Sequence, residues 1–199
     1  GSIIHPATCR DPLNTLFSVL KLLLIESEEN RPAPFELWCR KSRPSQRYES
    51  GFSLPDVLRT LPLFTTTSAY EERAIMRIMT DDHGLLKERY ERLFADRWRQ
   101  IQKDLETREF RVERWEIVNY EGTATRRGAG NRDRNGNQRG GLKVILFDNE
   151  QKPKAFLWMR GSGTEPVFRV LVDVEGEKPE VEELLLNLHR EMIALADNS

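Results

Sequence analysis

The sequence predicts an α+β fold, a mostly antiparallel sheet with flanking helices, and three observations predict it. Short runs rich in Val, Ile, Leu and Phe show period-two alternation and are separated by Gly, Asn, Asp or Pro. Two longer segments carry apolar residues at three-and-four spacing, the signature of a helix with one buried face. The chain has 199 residues, 38% hydrophobic and 32% charged. That is long enough to bury about 70% of its extended surface, so no disulfide or metal staple is needed.

Asp11-Pro12 opens a first helix as N-cap and N1 proline, expected to run to about residue 27. Leu13, Leu16, Phe17, Val19, Leu20, Leu22, Leu23, Leu24 and Ile25 occupy nearly every face of it, which asks for neighbours on more than one side. The polar, proline-bearing stretch from Glu28 to Pro34, followed by the basic residues 40–47, reads as loop. Ser53 is placed to cap a short helix over 54–60, which Pro62 closes. Residues 63–67, Leu-Phe-Thr-Thr-Thr, read as a strand. Residues 70–79 stay open: Ala74, Met76 and Ile78 alternate, yet Ser68 with Glu71 fits a capping box.

The clearest helix spans 85–108, with Leu86, Tyr90, Leu93, Phe94, Arg97, Ile101 and Leu105 on its repeat. Strands are expected over 112–120, 142–147, 155–160 and 167–174. Pro179 stands in the first turn of a last helix reaching about Ala196, with Val181, Leu184, Leu185, Leu188, Met192 and Leu195 on one face.

Charge and cysteine content remove several function classes. With 31 Lys plus Arg against 32 Asp plus Glu, the net charge is -1, which excludes a histone-like basic protein or an acidic tail. Cys9 and Cys39 are too few for a disulfide framework and lack metal-ligand spacing, so both are read as reduced and the compartment as cytoplasmic. The apolar run 13–25 is broken by Asn14, Thr15, Ser18 and Lys21 and falls short of the ~20 residues of a membrane span. Only Arg10 precedes it, and Glu26-Ser27-Glu28-Glu29 stands where a signal peptide needs small residues. A buried helix, not a membrane partner, is the expectation.

The sharpest motif is Arg160-Gly161-Ser162-Gly163-Thr164-Glu165-Pro166, between two expected strands. Two glycines let backbone N–H groups point into one concavity, and Ser162 and Thr164 add hydroxyls. Arg160 enters the loop with a planar fork of donors, and Arg169 follows on the next strand. Such a group can clamp a phosphate, with the arginines supplying most of the affinity. A glycine hairpin with two surface arginines is the plain alternative. Glu165 is assigned to the turn.

The run from Trp158 to Val170 resembles the C-terminal phosphate-binding loop of the α-D-phosphohexomutases, the phosphoglucomutase and phosphomannomutase superfamily. That family's pattern is Arg-Pro-Ser-Gly-Thr-Glu-Pro before an Arg-bearing strand; here Gly161 replaces the first proline, a change expected to loosen the turn. Gly141-Leu142-Lys143-Val144 resembles the strand placed before this loop, and Gly51-Phe52-Ser53-Leu54-Pro55-Asp56-Val57-Leu58 with the helix from Asp11 resembles the end of the family's third domain. The resemblance implies that residues 1–62 are the C-terminal part of that third, α/β domain and 63–199 the whole fourth domain.

It further implies an isomerase acting by intramolecular phosphoryl transfer between hexose 1-phosphate and 6-phosphate. Magnesium is implied as cofactor of the whole enzyme and a glucose 1,6-bisphosphate-type compound as activator. The family's phosphoserine motif and Asp-x-Asp-x-Asp metal loop do not occur in this sequence; Asp81-Asp82-His83-Gly84 lacks the alternating spacing and reads as a helix N-terminus. No catalytic or metal residue is therefore expected here. Arg160, Ser162, Gly163, Thr164 and Arg169 would grip the phosphate that is not reacting, and the partners are the hexose phosphate and the missing N-terminal domains. An amino-sugar phosphate mutase is the alternative within the family.

Segment 122–141 carries Arg126, Arg127, Arg132, Arg134 and Arg139 among glycines and asparagines. It reads as a solvated loop, as a shield over the sugar site, or as a nucleic-acid patch. No aromatic is interleaved to stack bases, which weighs against the last. His5, His83 and His189 share no triad or metal spacing and are assigned structural roles, His189 toward the C-terminal end of the last helix. Trp38, Trp98, Trp115 and Trp158 are assigned to packing.

Overall fold

The computed structural model describes residues 13, 16, 17, 20, 24, 25, 28, 31–41, 55, 59, 63–121, 124–130, 140–162 and 167–198. The chain divides into two compact units, Gly1–Pro62 and Leu63–Ser199.

In the first unit, Leu13, Leu16, Phe17, Leu20 and Leu24 are helical, and all five are exposed, Leu24 by 79%. The expected burial of this helix is thus not met at these positions. A helix, α1 (Pro34–Lys41), lies between the stretches 28–34 and 40–47 expected as loop and overlaps them only at Pro34, Arg40 and Lys41. Pro34 supplies a preset φ at its start, and Glu36, buried, pairs with Arg40 one turn on. Before it, Glu28 and Arg31 close a small turn by exchanging backbone bonds of 2.9 and 3.0 Å. Pro55 and Arg59 are helical; the remainder of the short helix expected over 54–60 lies outside the described residues.

Among the described residues the second unit is α+β, a seven-stranded, antiparallel sheet with two long helices. Its strands are β1 (Phe64–Thr66), β2 (Ile75–Arg77), β3 (Arg114–Glu121), β4 (Ala124–Arg127), β5 (Gly141–Phe147), β6 (Pro153–Gly161) and β7 (Val167–Glu175). They run in the order β1-β7-β6-β5-β3-β4, and β2 also pairs with β7. β1 and β2 occupy opposite ends of that edge, Thr65 opposite Val174 and Met76 opposite Phe168.

Alternation decides the faces. Leu142, Val144, Leu146, Leu157, Met159, Phe168, Val170 and Val172 are almost wholly buried in the core, together with Leu86, Tyr90 and Phe94 of α2 (His83–Glu106) and Leu185, Met192 and Ile193 of α3 (Pro179–Asp197). Phe94, Trp98 and Trp115 form an aromatic cluster at the edge of this core, with centroids 5.1 to 6.5 Å apart, so the packing role expected of these two tryptophans is met. Along α3 the buried face is rotated from the expected stripe. Leu195 is 39% exposed, whereas Leu186, His189 and Ile193 are buried.

Residues 70–79 combine both open readings. Glu71 reaches back to the Ser68 N–H (3.3 Å), half of a capping box, but the turn it starts is only a short 3₁₀ segment, Glu72–Ala74, before β2 begins. Pairing with β7 draws the chain into the sheet before a longer helix can form. The described residues of the arginine-rich segment 122–141, namely 124–130, 140 and 141, are also more structured than the expected loop. Ala124–Arg127 pairs with β3 as an edge strand, with all four residues exposed. Its continuation is tied to α2, where Glu91 accepts the Gly130 N–H (2.9 Å) and Lys87 donates to the Gly140 carbonyl (2.6 Å). Among the described residues no helix is long and apolar enough to cross a membrane.

Candidate functional site

β6 and β7 form a hairpin whose mouth carries the predicted site. Arg160 and Arg169 are register partners, directly opposite each other, and Gly161 is opposite Phe168. The loop is closed by a bond from the Ser162 N–H to the Val167 carbonyl (2.8 Å). Both arginines are exposed, on the face of the sheet away from the helices, because Met159, Phe168 and Val170 on the alternate positions are buried against them. The structure therefore brings Arg160, Ser162 and Arg169 to one end of the hairpin. Gly163 and Thr164, with Glu165, lie outside the described residues.

Like charges on directly opposed strand positions repel, since their Cβ atoms stand ~5 Å apart. Arg169 is anchored by a bond from Nη1 to the Ala69 carbonyl (3.3 Å), and among the described residues the Arg160 guanidinium has no ion-pair partner. An anion bridging the two would remove the repulsion and accept charge-assisted bonds from both. Behind the arginines on the same face, the Trp158 indole lies across Gly141, where an added Cβ would sit 2.9 Å from Nε1. Lys143, the register partner of Trp158, places its ammonium 4.0 Å from the Phe156 ring centroid.

The opposite face of the hairpin mouth is closed by a residue that sequence reasoning left as a bland histidine. His83 begins α2, is only 8% exposed, and meets the Phe168 ring edge-on at 5.0 Å. A Cβ at Gly161 would lie 2.5 Å from its Nδ1 and Cε1. The imidazole fills the space that a side chain at 161 would occupy. No local sequence signal announces this pairing, which joins segments far apart in the chain.

His189 is likewise structural, but not as a cation at a helix end. It is fully buried, accepts from the Tyr90 hydroxyl at Nδ1 (2.7 Å), and donates from Nε2 to the Trp158 carbonyl (3.1 Å). Burial pushes its pKa down to about 4, opposed by the Trp158 bond and aided by the charge of Arg190. Burial likewise raises the Tyr90 phenol well above its ordinary value. Asp82 caps α2 by accepting the Leu85 N–H (2.9 Å), in keeping with its reading as a helix N-terminus. Among the described residues no group of three or more His, Cys, Asp or Glu side chains is placed to hold a metal ion.

Of the arginines in segment 122–141, Arg127 pairs with Glu116 on β3, and Arg126 is exposed on β4. Arg132, Arg134 and Arg139 lie outside the described residues. No protein-family model matches this chain, and no curated protein matches it.

Proposed function

We propose that this chain is the C-terminal portion of an α-D-phosphohexomutase, with 1–62 ending the third domain and 63–199 forming the fourth, and that its β6–β7 hairpin holds the non-reacting phosphate of a hexose phosphate. The observation that carries the proposal is the opposition of Arg160 and Arg169 across the mouth of a loop that begins with Ser162. Two guanidinium forks at that spacing bind a phosphate more tightly than either alone and fix its orientation. In a mutase, binding energy gathered at the distant phosphate positions the other end of the sugar for transfer to and from the enzyme. The residues that perform the transfer, and the magnesium that would neutralise charge on the transferring group, belong to motifs this sequence does not contain. The exposed apolar side chains of Leu13, Leu16, Phe17, Leu20 and Leu24 fit a chain that packs against further domains.

The test is an amide NMR titration of the 199-residue chain with inorganic phosphate and then mannose 6-phosphate. Saturable shifts at Ser162 and Arg169 are expected, with millimolar affinity worth about 4 kcal/mol. They are lost in Arg160→Ala and weakened in Arg160→Lys, whose ammonium cannot present paired donors. Silence at both amides would overturn the clamp. The purified chain is expected to show no mutase turnover.

A further inference from the structure

The hairpin mouth has two faces, and only one carries the arginines. On the other, Gly161 and Phe168 form the last register pair before the loop, and His83 covers both. Its backbone is held by α2, which is capped by Asp82 and seated by Leu86, fully buried in the next positions of the helix. The ring sits so close to Gly161 that no side chain fits at 161 unless the ring moves, since a Cβ there would lie 2.5 Å from two ring atoms. Gly161 is flanked by Arg160, and Ser162 follows with the hydrogen bond that closes the loop. Any displacement of the 161 backbone is therefore passed to both.

We infer that His83 is a positioning residue for this loop. Pressed against Gly161 and Phe168, its ring supplies from α2 the stiffness that glycine, the most flexible residue, withholds from the loop entry. Held in this way, Arg160 and Arg169 face each other with less conformational entropy left to lose when an anion binds. The role belongs to the ring's shape, not to its charge, and it rests on the phosphate-clamp reading for its ligand.

Three variants and one double variant of the full chain test it, each read by phosphate titration, by amide exchange at Ser162 and by urea unfolding. His83→Ala is expected to speed Ser162 exchange and raise the phosphate Kd, each about tenfold, while amides of β5 keep their protection. His83→Phe keeps a planar ring and is expected to stay within about twofold of wild type in both. Gly161→Ala drives its methyl into the ring and is expected to match His83→Ala in lost affinity. In Gly161→Ala/His83→Ala the methyl enters the vacated space, and the double variant is expected to bind more tightly than Gly161→Ala, a non-additive result that two independent sites do not give.

Unchanged Ser162 exchange and phosphate affinity in His83→Ala would overturn the inference, as would strictly additive losses. If His83→Phe loses affinity while Ser162 stays protected, the imidazole contacts the anion itself and the positioning role is wrong. Wild-type silence toward phosphate, with Ser162 exchange still accelerated in His83→Ala, would overturn the clamp but support the packing role. Urea unfolding separates a variant that simply fails to fold, in which case His83→Phe and Gly161→Ala carry the test.

Discussion

His189 is neutral in the folded protein because burial penalises its charged form, while the core that surrounds it offers one donor, the Tyr90 hydroxyl, and one acceptor, the Trp158 carbonyl. With a folded pKa of about 4 against an ordinary 6.5, the unfolded chain takes up the proton first on acidification. The contribution of His189 to stability is complete above pH 6.5 and declines as the pH falls toward 4, by about 3 kcal/mol in all. Urea midpoints across that range should therefore fall, and His189→Gln should flatten this part of the profile although it lowers stability at pH 7. Glu182 presents a different solution for a buried charge. Its two oxygens accept from the Thr67 hydroxyl and, at 2.8 Å, from Arg73, and this carboxylate is the main reason the Arg73 pKa is raised.

Helix ends and clamps determine how the elements meet. The turn that closes α2 holds Glu109 at φ 55, a left-handed conformation that costs a side-chain-bearing residue about 1 kcal/mol. Glu109→Gly should relieve it and raise the unfolding free energy by about 0.5 to 1 kcal/mol, measured by urea denaturation. One turn apart on the same helix, Lys87 and Glu91 fasten the two described ends of the arginine-rich segment, at Gly140 and Gly130. Glu91→Gln keeps the shape but weakens the acceptor, and hydrogen exchange at the Gly130 amide should accelerate about tenfold, equivalent to about 1.4 kcal/mol. α3 has no side-chain cap of its own. Instead the Thr65 hydroxyl accepts the Lys178 N–H and donates to the Gly176 carbonyl, both at 2.8 Å, so a strand at the sheet edge finishes a helix.

Among the described residues the continuous core runs from Ile78 to Ala196, and this predicts that residues 63–199 alone unfold in a single cooperative transition with near-native helix content by circular dichroism. A broad, non-cooperative melt would overturn this prediction. The architecture of residues 63–199 was legible in the amino-acid order wherever a single face is buried. Period two in Val170, Val172 and Val174, and the three-and-four spacing of Leu86, Tyr90, Phe94 and Leu105, record that burial along the chain itself. The Arg160-to-Arg169 motif was legible for the same local reason, since adjacent strands joined by a short loop must bring their flanking residues together. β4 left no such trace, because Ala124-Thr125-Arg126-Arg127 buries no face and becomes a strand only through its bonds to β3. The rotation of α3 toward Leu186, His189 and Ile193, the neutral state of His189, and the closure of Gly161 by His83 depended on which distant segment arrived opposite them. Local periodicity encodes how a segment lies against a core; identities across the core are decided only when the chain has closed on itself.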